Sequence, residues 1–432
     1  MNNLEKLSFN IKNNKSTITV LGLGYVGLPV AYYFSKKYKV VGFDINKKRV
    51  INLRKGIDDN KTFKKFDIKK TNIVFEFYLK NIHKSDIFII TTPTPINKVN
   101  KPNLEYIFNA LDSLIDIGIK NKLIILESTV YPGATEENFI KYLEKKTTLK
   151  VNHDFWFGYS PERINPGDKK HKFFNIDKIV SGSSKKVSSI VKKLYKKVVS
   201  KVHEASSIRM AETAKLIENS QRDLNVAFVN EIALVCDKFN LKSKEALKLA
   251  STKWNFINFK PGLVGGHCIG VDPYYLTYKA KKVGYKPKII LAGRKLNDNM
   301  GNIVVKQLIS LMKEKKIEIK NSKLLIMGLT FKENCPDLRN SGVTQVIRKL
   351  NQLDCNIDLY DPLVCDREIF KVFKKRKIKR FVKNYYDAVV IAIAHNKFRK
   401  LGSRFITNIC KKKHVIYDLK SLYKSRDSDL SL

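Results

Sequence analysis

No C-x-x-C pair and no zinc-type spacing occurs among the six cysteines, at 236, 268, 335, 355, 365 and 410. That absence removes a disulfide framework and a structural metal from the expectations, and it fits a reducing cytoplasm. Long apolar runs are missing too: none approaches the roughly 20 residues that span a bilayer. The polar start, Met1 to Ser16, has no apolar core of the kind a signal peptide carries. A soluble protein without a membrane partner is expected. Acidic residues are scarce, 40 against 83 lysines and arginines, for a formal net charge of +43.

Such a charge would ordinarily suggest nucleic acid, because clustered cations neutralise phosphates and release counterions. Here 69 lysines against 14 arginines are spread over the whole length, with Asn, Ile, Phe and Tyr also abundant, as an A/T-biased genome would write on tolerant surface positions. No aromatic-plus-basic signature accompanies runs such as Lys374-Lys375-Arg376-Lys377, so no nucleic-acid partner is expected. An anionic small molecule would benefit from the same field.

What is present is an alternation of apolar strand-like runs with helical patterns, the mark of a doubly wound parallel sheet. Strands are predicted at Ile18 to Leu21, Val40 to Asp44, Ile87 to Thr91 and Leu123 to Ser128, with a weaker set at Phe155 to Tyr159 and Lys178 to Ser181. The length of 432 residues implies two or three domains, and this first α/β domain extends over 1–200. From Ser207 the pattern turns helical: Met210, Ala214, Ile217, Leu224, Phe228, Ile232 and Val235 recur at helical spacing. The helical segment covers 201–318 and serves either as a dimer surface or as a buried spine; a homodimer is expected. Strand patterns restart near Ser322 (Lys323 to Phe331, Ile357 to Tyr360, Ala388 to Ala394, His414 to Tyr417), predicting a second Rossmann-like domain over 319–432. The last residues, Ser425 to Leu432, are polar enough to fray.

Ile18-Thr-Val-Leu-Gly22-Leu-Gly24-Tyr25-Val26-Gly27 runs from a strand through G-x-G-x-x-G into a helix. Gly22 serves the tight turn, Gly24 the close approach of a pyrophosphate, Gly27 helix–sheet packing, and the helix N-terminus holds negative charge. Asp44 ends the next strand, 17 residues after Gly27, where it can accept ribose hydroxyls. It would repel a 2'-phosphate and so favours NAD over NADP, although Lys47, Lys48 or Arg49 could pair with such a phosphate. Thr92-Pro-Thr-Pro95 follows another strand, where it is either a ligand contact or a rigid turn.

Pro261-Gly-Leu-Val-Gly265-Gly-His267-Cys268-Ile-Gly-Val-Asp272 places one thiol in a glycine-rich loop with a carboxylate four residues on. Cys268 reads as a nucleophile, because glycines free the backbone to approach a ligand and expose the sulfur; an inert buried loop cysteine is the alternative. Lys215 and Asn219 are one helical turn apart, a pairing that stabilises an oxyanion when partly buried. Glu162, in Ser160-Pro-Glu162-Arg163-Ile-Asn165-Pro-Gly167, could activate water, cap a turn or pair with Arg163. Glu127-Ser128-Thr129 sits comparably after its strand.

These motifs occur in the order found in the UDP-glucose/GDP-mannose dehydrogenase family, which the chain resembles over nearly its whole length, including Gly328-Leu-Thr-Phe-Lys332 through Asp337-Leu-Arg339. Ser160 to His171, Ser251 to Asn255 and His267 are most similar to the branch that oxidises UDP-N-acetylhexosamines for surface polysaccharides. The resemblance implies NAD-dependent four-electron oxidation of a sugar C6 alcohol to a carboxylate. UDP-N-acetylglucosamine is the first expectation, its galacto and manno isomers the alternatives. It implies a thiohemiacetal and a thioester on Cys268, an oxyanion held by Lys215 and Asn219, and a hydrolytic water handled by Asp272, Thr129 and Glu162. Further implied contacts are Tyr25, Val26, Arg49, Thr92, Thr129 and Arg339 to the cofactor, and Arg163, Gly265, His267, Arg294 and Lys332 to the nucleotide sugar.

Overall fold

Strands buried on both faces must be apolar nearly throughout, and the N-terminal half supplies several such runs. The computed structural model describes residues 2–60, 62–164, 173–266 and 268–432. Its first sheet consists of β1 (Thr17–Leu21), β2 (Lys39–Phe43), β3 (Val74–Glu76), β4 (Ile87–Ile90), β5 (Leu123–Leu126), β6 (Trp156–Tyr159), β7 (Lys178–Gly182) and β8 (Val202–Glu204). The spatial order is β3-β2-β1-β4-β5-β6-β7-β8, parallel except where β6 meets β7. Its first six strands follow the 3-2-1-4-5-6 order of a dinucleotide-binding sheet. Every residue of β4, β5 and β6 is buried. The short edge strands β3 and β8 were not legible as strands, since three residues carry no period.

The second sheet orders β9 (Lys323–Met327), β10 (Asn356–Tyr360), β11 (Tyr386–Ile391) and β12 (Cys410–Asp418) as β10-β9-β11-β12, all parallel. β9 stops at Met327 rather than at the expected Phe331 because Gly328 takes a φ of +87°, which turns the chain out of the sheet. The doubly wound α/β expectation holds for both sheets.

Two compact units result: Met1–Glu218 with Tyr274–Tyr285, and Asn219–Pro273 with Lys286–Leu432. The 31-residue helix Ile208–Lys238 contributes to both. Of its predicted apolar stripe, Met210, Ile217, Phe228 and Val235 are exposed, so the stripe is not a buried spine. Tyr275, in the segment that returns to the first unit, is fully buried, and its hydroxyl donates to the carbonyls of Thr94 (3.0 Å) and Pro95 (3.2 Å).

One chain end adds to the sequence reading and the other corrects it. The polar start forms a helix, Asn3–Lys12, with Asn2 and Glu5 as a reciprocal cap and with Leu7 and Ile11 buried in the first core. The tail expected to fray is docked: Leu430 bridges to Tyr417, Asp429 accepts from the Ile416 amide at 2.7 Å, and Leu432 is buried. Two apolar anchors among polar neighbours suffice, which composition alone does not reveal.

Candidate active site

The turn after β1 is built around glycine. Gly22 has a φ of +93°, and a Cβ on Gly27 would fall 1.7 Å from the Gly22 carbonyl oxygen and 2.4 Å from Thr91 Oγ1. Thr91 clamps the turn by donating to the carbonyls of Gly22 (2.7 Å) and Leu21 (2.9 Å). Gly24, by contrast, has nothing within 4 Å of its Cβ position, leaving room for another molecule's atoms against the backbone. The helix Gly27–Phe34 begins without a side-chain cap, so its positive end is open to an anion. Asp44 accepts from the Leu23 amide at 2.8 Å and from Asn46 at 2.9 Å, and remains half-buried. Tyr25 and Val26 are also half-buried. Arg49 is buried, donating to the Leu23 carbonyl (3.0 Å) and paired with Asp58 at 2.7 Å. At the end of β4, Thr92 Oγ1 is buried without a hydrogen-bond partner, while the Thr92 carbonyl accepts from Ser128 Oγ at 2.6 Å. An open glycine cradle, an uncapped helix start, a ribose-height carboxylate and an orphaned hydroxyl together fit a dinucleotide.

Across the ends of β5, β6 and β7 lies a buried charge cluster. Glu162 Oε1 accepts from the amides of Arg163 (2.6 Å) and Ile164, while Oε2 is buried with no hydrogen-bond partner among the described residues and stands 3.8 Å from Lys178 Nζ. Lys178 pairs with Glu127 Oε2 at 2.7 Å, and Tyr195 donates to the other Glu127 oxygen. Burial pushes the Glu127 carboxyl upward, the adjacent ammonium opposes that, and Glu162 adds to it; the net direction is up. Thr129 is partly exposed just past Ser128.

On the helix Ile208–Lys238, Lys215 is buried, and its Nζ lies 3.4 Å from Glu218 Oε1. Glu218 also receives Arg163, at 2.8 and 3.0 Å, so one carboxylate links two predicted site residues. Glu212 accepts from the amides of Gly133 (2.5 Å) and Thr135 (2.9 Å), fixing the turn beyond Thr129, and burial pushes its carboxyl up to about 7. One turn past Lys215, buried Asn219 donates to buried Asp272 at 2.5 Å. Two residues picked out separately in sequence are thus a hydrogen-bonded pair.

Cys268 is exposed in the turn before the helix Asp272–Lys282, and its carbonyl accepts from the Asp272 amide at 2.9 Å. None of the six cysteines forms a disulfide, and of the other five only Cys365 is exposed. The loop ahead of Cys268 is laced to its own unit. Gly262 exchanges two hydrogen bonds with Asn230 (2.7 and 3.1 Å), and Gly266, at a φ of +87°, would place a Cβ 2.8 Å from the Phe331 ring. Gly265 would clash with the Asn340 carbonyl at 2.7 Å. Lys332, next to Phe331, is half-buried. Arg294 is buried and pairs with Asp223 at 2.5 Å and with Asp298; Arg339 pairs with Asp337 at 2.7 Å. His267 and the stretch 165–172 lie outside the described residues. Among the described residues no cluster of metal-ligating side chains occurs, and no helix is long and apolar enough to cross a membrane.

Sequence reading missed Glu218, Lys178 and Tyr195. Glu218 stands three residues from Lys215 and could have been noticed as its partner. Lys178 sits inside a strand, where a lysine reads as an edge or solvent residue, and Tyr195 occupies an ordinary core position of the helix Lys185–Tyr195.

Residues 16–199 match the NAD binding domain of the UDP-glucose/GDP-mannose dehydrogenase family, 209–299 its central domain and 325–425 its UDP binding domain. A UDP-N-acetyl-D-glucosamine 6-dehydrogenase of Pseudomonas aeruginosa is 46% identical over 96% of this chain and 99% of its own length. Its counterpart in Salmonella typhi is 45% identical over 96% and 98%. Among solved structures, a UDP-D-ManNAc dehydrogenase from Pyrococcus horikoshii superposes with a TM-score of 0.86 at 28% identity, covering 95% of this chain and 96% of that one.

Proposed function

The chain belongs to the UDP-glucose/GDP-mannose dehydrogenase family, and from that premise we propose that it oxidises C6 of UDP-N-acetyl-D-glucosamine to the uronic acid with NAD. One observation carries the choice of sugar: near-full-length identity of 46% and 45% to two UDP-N-acetyl-D-glucosamine 6-dehydrogenases, against 34% and 28% to two mannosamine dehydrogenases. We assign it to the cytoplasm and, from its resemblance to the branch that oxidises UDP-N-acetylhexosamines, to surface polysaccharide synthesis.

NAD, when bound, accepts a hydride at each of the two oxidation steps. Gly22, Gly24, Gly27 and the start of the following helix would hold its pyrophosphate, Asp44 a ribose, and Tyr25, Val26, Arg49, Thr92, Thr129 and Arg339 would complete the contact. Lys215 and Asn219 stabilise the C6 oxygen as it becomes an alkoxide, with Asn219 oriented by Asp272. Cys268 adds through sulfur to the aldehyde; the resulting thiohemiacetal becomes a thioester on loss of the second hydride. Glu162 takes a proton from the water that cleaves the thioester, with Thr129 and Asp272 orienting that water. Arg163, Gly265, His267, Arg294 and Lys332 would meet the nucleotide sugar.

We also assign the exposed stripe Met210, Ile217, Phe228 and Val235 to a homodimer, since apolar side chains aligned along one helix favour burial against a second copy. The purified protein should generate two NADH per UDP-N-acetylglucosamine and far less from the galacto and manno isomers. Equal or faster turnover of an isomer overturns the assignment. Cys268→Ser should bind NAD normally and release no acid; full acid production would exclude the thioester.

A further inference from the structure

Taking an ammonium and a carboxylate out of water is costly, and an apolar filler would serve packing as well, so a retained ionic cluster calls for a use. Lys178 is buried on β7, between Glu127 and Glu162. Its Nζ also reaches the carbonyls of Ser160 (3.4 Å) and Pro161 (3.2 Å), the two residues that lead into Glu162. Glu127, fully buried, is fixed from its other side by Tyr195, also fully buried. Ser160 Oγ donates to the Ile179 carbonyl at 2.9 Å, tying the same turn to β7. With Oε1 spent on two backbone amides, Oε2 is the only Glu162 oxygen left for another molecule, and it is the one that faces the ammonium.

We propose that Lys178, held by Glu127 and Tyr195, is a positioning residue for Glu162: it pins the Ser160–Glu162 turn and presents Oε2 to the hydrolytic water. This rests on the role given to Glu162 above. In that step a water proton passes to Glu162 Oε2 and the water oxygen bonds to the thioester carbonyl carbon. The C–S bond then breaks, and its electron pair leaves with sulfur as the Cys268 thiolate. The protons on Glu162 and on the product acid return to solvent. Lys178 touches neither the substrate nor the water and acts only through Glu162; without it both hydride transfers proceed and hydrolysis stalls.

The test is rapid mixing of full-length wild type, Lys178→Met, Lys178→Arg and Glu127→Gln with saturating NAD and UDP-N-acetylglucosamine. NADH is followed in time, and the mass of the intact protein is read after quenching. For Lys178→Met the expected result is a burst approaching two NADH per site, an acyl adduct on Cys268, and a steady rate down by roughly 100-fold. NAD affinity should be unchanged, and Lys178→Arg should recover most of the rate. A purely structural role would lower burst and steady rate together. A steady rate within about threefold of wild type, or lost turnover without a burst in a folded, NAD-binding variant, overturns the proposal. If Lys178→Met does not fold, the isosteric Glu127→Gln decides by the same criteria: a burst with adduct supports, its absence overturns. Wild type that makes no NADH from any UDP-N-acetylhexosamine would instead refute the functional assignment.

Discussion

The turns that follow β1 and β9 are close stereochemical copies. Each has a glycine of positive φ (Gly22 at +93°, Gly328 at +87°) whose amide bonds to the last residue of the neighbouring strand, Phe43 at 2.8 Å and Tyr360 at 2.9 Å. The next amide, of Leu23 or Leu329, reaches an aspartate just beyond that strand, Asp44 or Asp361, at 2.8 Å in both. Even the strand starts agree, with Thr17 and Lys323 donating to Asp86 and Asp387. What differs is the space beside the aspartate. Asp44 stays half-buried and Gly24 opens onto nothing, whereas Asp361 is fully buried against His395 at 3.1 Å, and Thr330 and Glu333 stand where the second and third glycines would be. One backbone design thus serves a ligand in the first unit and a sealed polar contact in the second; the fold alone does not decide between them.

The comparison breaks most severely at Gly27. Gly27→Ala should destabilise the first unit by about 3 kcal/mol or more, because the new Cβ meets a backbone oxygen that cannot yield. Gly24→Ala should leave stability within about 0.5 kcal/mol and weaken only NAD binding. Thermal unfolding followed by the buried Trp156, with parallel NAD titration, separates the two; a stable, NAD-binding Gly27→Ala protein would refute the tight-turn account.

At the second turn, His395→Ala should cost about 3–4 kcal/mol in urea unfolding, since it strands a buried carboxylate, while NAD affinity stays at the wild-type value. A change in NAD affinity there would mean that the sealed contact is not merely internal.

The smallest effect is a difference in pH response. Glu212, raised by burial from 4.5 to about 7, favours the folded first unit most below pH 4.5, and that stability is lost as pH rises through about 7. The change is at most about 3 kcal/mol, and Glu212→Gln should flatten it. Asp361 behaves oppositely. Burial pushes its carboxyl up, but the His395 hydrogen bond and the Leu329 and Leu363 amides outweigh burial, so its contribution is lost only as pH falls below the ordinary carboxylate range. Unfolding curves for Glu212→Gln and Asp361→Asn against pH should diverge from wild type at opposite ends.

The first turn was legible because its chemistry is local: three glycines and an aspartate at fixed spacing state the backbone they need. The second was hidden, since Asp361 and His395 are 34 residues apart and neither carries a motif. The same holds within the site. Cys268, Lys215 and Asn219 announce themselves by their loop and helix spacing, whereas the contact of Asn219 with Asp272 spans 53 residues and that of Lys178 with Glu127 spans 51. Burial that turns a strand lysine into a fixed ammonium arises only when the sheet closes.

The return of Tyr274–Tyr285 to the first unit has a consequence for how the protein is made. A ribosome finishes β1 to β8 long before it reaches Tyr275, whose hydroxyl covers the Thr94 and Pro95 carbonyls. At roughly 5–20 residues per second, the nascent N-terminal sheet waits several seconds for that piece, while the entire Cys268 loop is being translated. The first unit cannot be completed as a separate early product; its last contact is delivered by the helix that starts just after the Cys268 loop.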